Sequence, residues 1–176
     1  MNDDPRYPVG RFDRRDSLTT DERRAAIDTI AAAPARMREA VAGLSDEQLD
    51  TPYRDGGWSV RQVVHHVPDS HMNAFFRTKL ALTEENPIIR PYDEAAWAEL
   101  SDVRDTPVET SLTLLEALHA RWTTLLRALD ESDFARTLQH PEHKGPMTLD
   151  TLVGMYAWHS LHHVAHVTSL RERMNW

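Results

Sequence analysis

Apolar residues recur every three or four positions along four segments of the chain, with polar residues between them. The third segment shows this most clearly, because its large apolar residues share one helical face: Leu112, Leu115, Leu118, Trp122, Leu125 and Leu129. Such spacing is typical of an amphipathic helix that buries one side. We therefore predict four long helices, over about residues 19–41, 59–83, 108–129 and 148–173.

Helix-start signals support the first two of these helices and add one short turn. Each signal is a capping box, in which a hydroxyl residue is followed three positions later by Glu or Gln. The pairs are Thr19 with Glu22, Ser45 with Gln48, and Ser59 with Gln62. Proline interrupts the pattern twice, so we expect Pro34 to bend the first helix and Pro68 to kink the second near residues 64–67.

The segments between the helices carry turn residues instead of periodic apolar ones. Residues 84–106 should be irregular, with one turn of helix near residues 94–100, and residues 132–147 form the last connection. No run of residues alternates as a strand would. The sequence thus predicts an all-α protein, a four-helix bundle in one domain that spans residues 1–176.

Composition narrows the possible partners. The net charge of −8 argues against binding to nucleic acid or to an anionic membrane. No apolar run approaches the roughly 20 residues that span a bilayer, and the polar, acidic N-terminus does not resemble a targeting segment. The absence of cysteine excludes disulfides and fits a reducing cytosol.

Ten histidines and no cysteine define the candidate chemistry, because a transition-metal site would need nitrogen and oxygen donors. His159 and His163 lie one turn apart on the inward-facing seam of the fourth helix, where leucine would be expected. Unpartnered imidazoles are costly to bury, so we favour a ligand pair over core histidines that bond to neighbours. His162 and His166 have the same spacing and form the second choice.

A third ligand must come from another helix, since two ligands on one helix bind metal weakly. The second helix offers three histidines. His65 points about 100° away from His66 on a regular helix, and His71 shares the face of His66 only if Pro68 distorts the helix. The residues alone leave the choice open.

The remaining polar groups receive more ordinary interpretations. His140 and His143 flank a segment that is more typical of a solvated loop, although it could overhang the site. His119 should lie on the surface of the third helix. Asp69 and Glu142 are the carboxylates nearest to the histidine motifs, but neither can be assigned as a general base from the sequence, so the catalytic residues are unknown.

Several motifs spread over nearly the whole chain are specific in combination. They are residues Tyr7 to Gly10, Gly57 to His66, Asp69 to Asn73, Lys79 to Glu84, Pro91 to Glu94 with Trp97, Leu114 to His119, His140 to His143, and Tyr156 to His166. Together these motifs resemble the YfiT family within the DinB-like superfamily.

That resemblance implies a cytoplasmic homodimer of four-helix bundles with one zinc or nickel ion per subunit. Carried across motif by motif, the metal ligands are His66, His159 and His163. The family pattern has alanine where this chain has Pro68, so a kink there would act two residues beyond His66.

The resemblance also implies a function, a metal-dependent hydrolase that acts on a small molecule through a metal-activated water. Relatives in the superfamily include thiol S-transferases that use bacillithiol or mycothiol, and metal-dependent isomerases. The first alternative is therefore a transferase in which the metal activates a low-molecular-weight thiol, which suits a chain without thiols of its own. The second alternative is a metal-binding protein without catalysis.

Overall fold

The computed structural model describes residues 4–142 and 145–176 of the chain. Its helices are α1 (Thr20–Val41), α2 (Asp46–Leu49), α3 (Val60–Thr83), α4 (Glu94–Ala98), α5 (Ser101–Asp105), α6 (Val108–Arg127), α7 (Glu131–Phe134) and α8 (Leu149–Met174). Two short strands, β1 (Thr137–Leu138) and β2 (Met147–Thr148), pair in antiparallel fashion. The predicted all-α, four-helix-bundle class is confirmed. Across the described ranges, no helix has both the length and the apolarity to cross a bilayer.

The four long helices pack in an order that differs from their order along the chain. Both α1 and α3 pack mainly against α6 and α8, so α1 lies diagonally across the bundle from α3. In the same way, α6 lies diagonally across from α8. This arrangement brings α3 and α8, the two helices with most of the histidines, into direct contact.

Local sequence signals explain where these helices begin. The three predicted capping boxes are present, before α1, α2 and α3. Neither Pro34 nor Pro68 ends its helix, and both α1 and α3 are continuous through the proline. In each helix, however, the proline has no backbone N–H for the carbonyl four residues earlier.

Short elements in the connections depart from the predictions. Residues 84–106 contain two short helices, α4 and α5, where one turn was expected, and α6 ends at Arg127 because Asp130 caps the separate helix α7. The strands β1 and β2 lie where no strand was predicted, and they bury Leu138 and Met147. Strands of two residues are too short to show the alternation that reveals a strand in sequence.

A polar layer separates two apolar clusters in the bundle. One cluster surrounds Trp122 and Leu152, and the other surrounds Val63 and Leu115. Histidines occupy positions between the clusters on three of the long helices: His71 on α3, His119 on α6, and His159 and His163 on α8. The bundle therefore holds its histidines in the middle of the core.

The N-terminal arm, residues 4–19, is fastened to α8. Trp158 Nε1 donates a hydrogen bond to the Gly10 carbonyl at 3.0 Å, and Thr151 Oγ1 donates to the Arg15 carbonyl at 2.8 Å. Gly10 has a φ of +82°, a left-handed conformation that favours glycine. The arm thereby reaches the histidine-rich part of α8.

A buried ion pair joins the start of α1 to the start of α8. Arg23 contacts both carboxylate oxygens of Asp150, at 2.7 and 2.9 Å, and the two side chains are 9% and 5% exposed. The backbone N–H of Leu18 also donates to Asp150 at 3.0 Å. Breaking a buried pair is far more costly than breaking a solvated one, because the remaining charge stays desolvated.

We expect Asp150→Asn to lower the free energy of unfolding by about 3–5 kcal/mol, because the Arg23 charge loses its counter-ion. The matched change Asp28→Asn breaks an ion pair with Arg127 whose side chains are 60% and 55% exposed, and it should cost less than about 1 kcal/mol. Urea unfolding with a chelator present measures both, free of any contribution from bound metal. Equal losses in the two variants would contradict this role of Asp150.

Candidate metal centre

Three histidines converge where α3 packs against α8. One ring nitrogen of each of His66, His159 and His163 lies within 4.8 Å of the others. The Nε2 atom of His159 is 3.1 Å from Nε2 of His163 and 3.4 Å from Nε2 of His66. The structure thus brings together the three residues that the family resemblance implied as ligands.

A chain of hydrogen bonds determines which nitrogen of His159 carries a proton. The chain starts at the Ile30 carbonyl. Pro34, four residues later, cannot donate a hydrogen bond to this oxygen because proline has no backbone N–H. His119 Nδ1 lies 2.6 Å from this oxygen and must donate to it, since a carbonyl only accepts. His119 Nε2 then accepts from His71 Nδ1 at 2.8 Å, and His71 Nε2 accepts from His159 Nδ1 at 3.0 Å. A neutral imidazole carries one proton, so Nε2 of His159 has a free lone pair.

A second, shorter chain acts on His163 in the same way. His166 Nε2 lies 3.4 Å from the Arg6 carbonyl in the N-terminal arm, and it donates to that oxygen. His166 Nδ1 can then only accept, and it lies 3.4 Å from His163 Nδ1. The proton of His163 is therefore on Nδ1, and its Nε2 also has a free lone pair.

The donor set fits a divalent cation. Two lone pairs face each other across 3.1 Å, between His159 and His163, and such acceptors repel unless a cation lies between them. Three imidazole nitrogens at the usual distance from Zn²⁺ would be separated by roughly 3.3 Å in tetrahedral geometry. The separations of 3.1 and 3.4 Å are close to that value.

The three imidazoles are not protonated near neutral pH, so protonation does not relieve the repulsion between their lone pairs. Burial disfavours the imidazolium form and lowers the pKa of His66 to about 4, with a smaller contribution from His162. Burial, followed by the neighbouring imidazoles, lowers the pKa of His159 and of His163 well below the usual value. The three rings are therefore neutral and can donate their lone pairs to a metal ion.

A cavity of about 420 Å³ adjoins the three rings. Mostly aromatic and ionisable side chains line the rest of its wall, which consists of Trp58, Ser70, Arg77, Pro91, Tyr92, Glu94, His140, Glu142, Met155, Tyr156, Trp158 and His162. Burial raises the pKa of Tyr92 to about 12 and also raises that of Tyr156, so both phenols remain protonated. Partial burial, together with the charge of Glu142, raises the pKa of Glu94.

Proteins with similar sequences are also described as metal-dependent. A DinB superfamily model matches residues 29–167. The Bacillus subtilis (strain 168) protein named "Putative metal-dependent hydrolase YfiT" is 51% identical over 170 residues, which cover 97% of this chain and 96% of the relative. A Bacillus cereus (strain 03BB102) relative, also named "Putative metal-dependent hydrolase", is 52% identical over 176 residues and covers all of both chains. The chain belongs to the YfiT family of the DinB superfamily.

A solved structure extends this relationship to the fold. YfiT from Bacillus subtilis matches this YfiT-family chain with a TM-score of 0.95 and 50% identity, over 98% of each chain. That relative is described as a probable metal-dependent hydrolase with an unusual four-helix bundle topology. The two proteins therefore share one fold.

The prediction that His119 lies on the surface of this YfiT-family protein is wrong. Its side chain is 1% exposed and bonds to both Ile30 and His71. The sequence contained the signal, because His119 follows Leu115 by four positions and precedes Trp122 by three. A histidine at that spacing belongs to the buried face.

The other histidines divide between the cluster and its surroundings. His71 Nε2 accepts a hydrogen bond from His159 Nδ1 at 3.0 Å, in a helix that is continuous through Pro68. His65 lies apart from the cluster, with Nδ1 2.7 Å from Ser111 Oγ. His162 stacks on Trp158, with ring centroids 4.4 Å apart, and within the described part of the chain its buried Nδ1 has no hydrogen-bond partner.

The connection before β2 is part of the cavity wall in this YfiT-family protein. His140 and Glu142 both line the cavity, whereas the sequence favoured an ordinary solvated loop. His143 lies outside the described residues. Of the two candidate carboxylates, Glu142 lines the cavity and Asp69 is not among its lining residues, although burial and Asp102 raise the pKa of Asp69 to about 6.

Sequence reasoning missed three polar groups in the cavity, namely Arg77, Tyr92 and Glu94. Arg77 could have been found, because it follows His66 by eleven residues, three helical turns, and so shares its face. Tyr92 lies in an irregular segment and Glu94 is the first residue of the short helix α4, so no long periodic pattern indicates the direction of either side chain.

The two hydrogen-bond chains predict the tautomer of five histidines. We expect Nδ1–H forms for His71, His119, His159 and His163, and an Nε2–H form for His166, because the Ile30 and Arg6 carbonyls fix the direction of each chain. Long-range proton–nitrogen NMR correlations of zinc-loaded, histidine-labelled protein distinguish the two forms. An Nε2 proton on His159 or His163 would contradict the scheme.

The buried histidines should also make stability depend on pH. Burial lowers the pKa of His119 to about 4 from an ordinary value of 6.5. Between these values the unfolded chain binds a proton that the native protein does not, so stability falls as pH falls. Compared with wild type in chelator, His119→Asn should lose stability less steeply in this window, by up to about 1.4 kcal/mol per pH unit. Unfolding curves at several pH values measure the slopes, and identical slopes would exclude this contribution.

Proposed function

We propose that this protein is a divalent-metal-dependent hydrolase that acts on a small molecule. The metal ion would be held by His66, His159 and His163. The observation that carries the proposal is the convergence of three Nε2 atoms, two of which have their lone pairs directed inward by hydrogen bonds to other residues. Lone pairs that face each other in a core repel unless a cation lies between them.

The protein residues would divide the work between binding and proton transfer. His66, His159 and His163 would hold a divalent ion, which would supply Lewis-acid chemistry, the acidification of a water or thiol and the polarisation of a carbonyl. Glu94 and Glu142 line the cavity and are the carboxylates available to accept a proton. The raised pKa of Glu94, caused by partial burial and then by Glu142, favours such a role.

The cavity supports a small-molecule substrate. Its volume of about 420 Å³ is within the range typical of sites for single small ligands. Aromatic side chains in the cavity wall, the buried Tyr156 and the half-buried Trp158, would exclude water from one side of the substrate.

A thiol S-transferase is the second candidate, and the observation that favours it is the absence of cysteine from the chain. An external low-molecular-weight thiol would then meet no competing thiolate at the metal. The choice of zinc or nickel, the homodimer, the single domain and the cytoplasmic location are also predictions that derive from the sequence and the family resemblance.

Metal binding tests the ligand assignment. The wild-type protein should bind one Zn²⁺ or Ni²⁺ per chain, and alanine at His66, His159 or His163 should weaken binding by more than about 100-fold, beyond the effect typical of outer groups. Chelator competition measures the affinities. His162→Ala is the matched control, a neighbouring histidine that should retain its metal within about tenfold. Loss of metal from His162→Ala, but not from His159→Ala, would reverse the assignment.

Activity then separates the candidate functions. Metal-loaded protein should hydrolyse members of a panel of small esters, amides and lactones, and His163→Ala should not. A parallel assay offers bacillithiol or a simpler thiol with monochlorobimane as the electrophile. Conjugation without hydrolysis would assign the transferase instead. Neither activity, with a metal whose removal strongly destabilises the fold, would indicate a structural role.

A further inference from the structure

Arg77 is a buried cation in the cavity wall without an ionic partner among the described residues. Its side chain lies on α3 and is 8% exposed. Among residues 4–142 and 145–176, no carboxylate forms an ion pair with it. It contacts uncharged oxygens, the Arg90 carbonyl at 3.4 Å and the Tyr156 hydroxyl. A guanidinium has five N–H donors, so donors remain for a further partner.

Among the described residues, two arginines are buried, Arg23 and Arg77. Arg23 forms a two-point ion pair with Asp150. Burying a charge is costly unless an opposite charge and hydrogen bonds compensate. Arg77, which lacks such a pair, is also the arginine that lines the cavity beside the histidines. An anion in that cavity would supply the missing compensation.

The surroundings of Arg77 are suited to an anion. Tyr92 and Tyr156 keep their protons, because burial raises the pKa of both phenols, so neither neutralises the guanidinium. Glu94 and Glu142 line the same cavity, yet neither pairs with Arg77. The position also suits a substrate that spans two sites, since the ring of Tyr156 lies 5.5 Å from the ring of His159 between their centroids.

We propose that Arg77 binds an anionic group, a carboxylate or a phosphoryl group, on the small molecule that this protein acts on. The inference rests on the proposed function, because it places the reacting bond at the three histidines and the anion at Arg77. A planar guanidinium binds either group through two parallel hydrogen bonds. The protonated Tyr92 is available as a further donor. The substrates are therefore small acids or phosphate esters and not neutral compounds.

The test uses hydroxamates, which bind metal ions, as probes on the zinc-loaded protein. Series of increasing chain length carry a terminal methyl, carboxylate or phosphonate group. At the best length, one anionic series should bind wild type at least about tenfold more tightly than the methyl series, as expected for hydrogen bonds to a charged group. Arg77→Gln should remove this advantage and leave the methyl series unchanged. Arg90→Gln, the same change at an exposed arginine, should keep it.

The affinities of the methyl, carboxylate and phosphonate series, compared between wild type and Arg77→Gln, decide whether Arg77 binds an anion. The preferred series identifies the anion as carboxylate or phosphoryl. The assignment of Arg77 is wrong if the methyl series binds and neither anionic series binds more tightly than it. It is also wrong if Arg77→Gln still binds an anionic series more tightly than the methyl series. If Arg77→Gln does not fold, Arg77→Lys retains the charge without the planar fork and should keep only part of the gain.

A metal-independent arm separates failure of this inference from failure of the proposed function. Absence of binding by every hydroxamate would contradict the metal site itself. In that case glutarate and inorganic phosphate are tested on the metal-free protein by thermal unfolding. At least one of them should raise the Tm of wild type more than that of Arg77→Gln. An equal response of the two proteins to both anions would overturn the role of Arg77.

Discussion

Buried imidazoles that must stay neutral, with their protons directed away from a common centre, are the constraint on which this structure depends. Each neutral ring has one donor and one acceptor, so all rings in a hydrogen-bonded chain donate in the same direction. The group at the end of the chain determines that direction. Here the last members are bonded to backbone carbonyls, those of Ile30 and Arg6, which can only accept. The lone pairs of His159 and His163 therefore converge, and a site for a cation follows.

The bundle is arranged to supply these chains. The diagonal placement of α1 and α3 leaves α6 next to both, so His119 on α6 can connect α1 with His71 on α3. Pro34 has no backbone N–H, so the Ile30 carbonyl can accept a hydrogen bond from a side-chain donor. The N-terminal arm supplies the second carbonyl. The rings lie between two apolar clusters, and their burial disfavours the imidazolium form.

Helix positions were predictable from the sequence because apolar spacing and capping residues are local signals. The pair His159 and His163 could also be identified, since i, i+4 spacing on a core seam implies a shared partner. The choice of His66 over His65 and His71 depended on the family resemblance. Periodicity alone could not predict how α3 packs against α8. The relay through His119 was not predicted, although the place of His119 between Leu115 and Trp122 indicates the buried face of its helix.

Side chains from irregular segments lay beyond sequence reasoning. Tyr92, Glu94 and Glu142 reach the cavity from connections whose paths depend on tertiary packing, including the parallel bridge between Ile88 and Gln139. The short strands near Leu138 and Met147 depend on the same packing. The candidate metal ligands of this family member thus lie on regular helices, whereas the wall of the adjoining cavity comes partly from connections.

The most direct test of the central claim is a crystal structure of the zinc-loaded protein with anomalous diffraction measured on both sides of the zinc absorption edge. The account predicts a zinc peak between α3 and α8, with the Nε2 atoms of His66, His159 and His163 at about 2.0–2.1 Å. A zinc ion bound instead by His162 and His166, or coordinated through Nδ1 of His159 or His163, would contradict it.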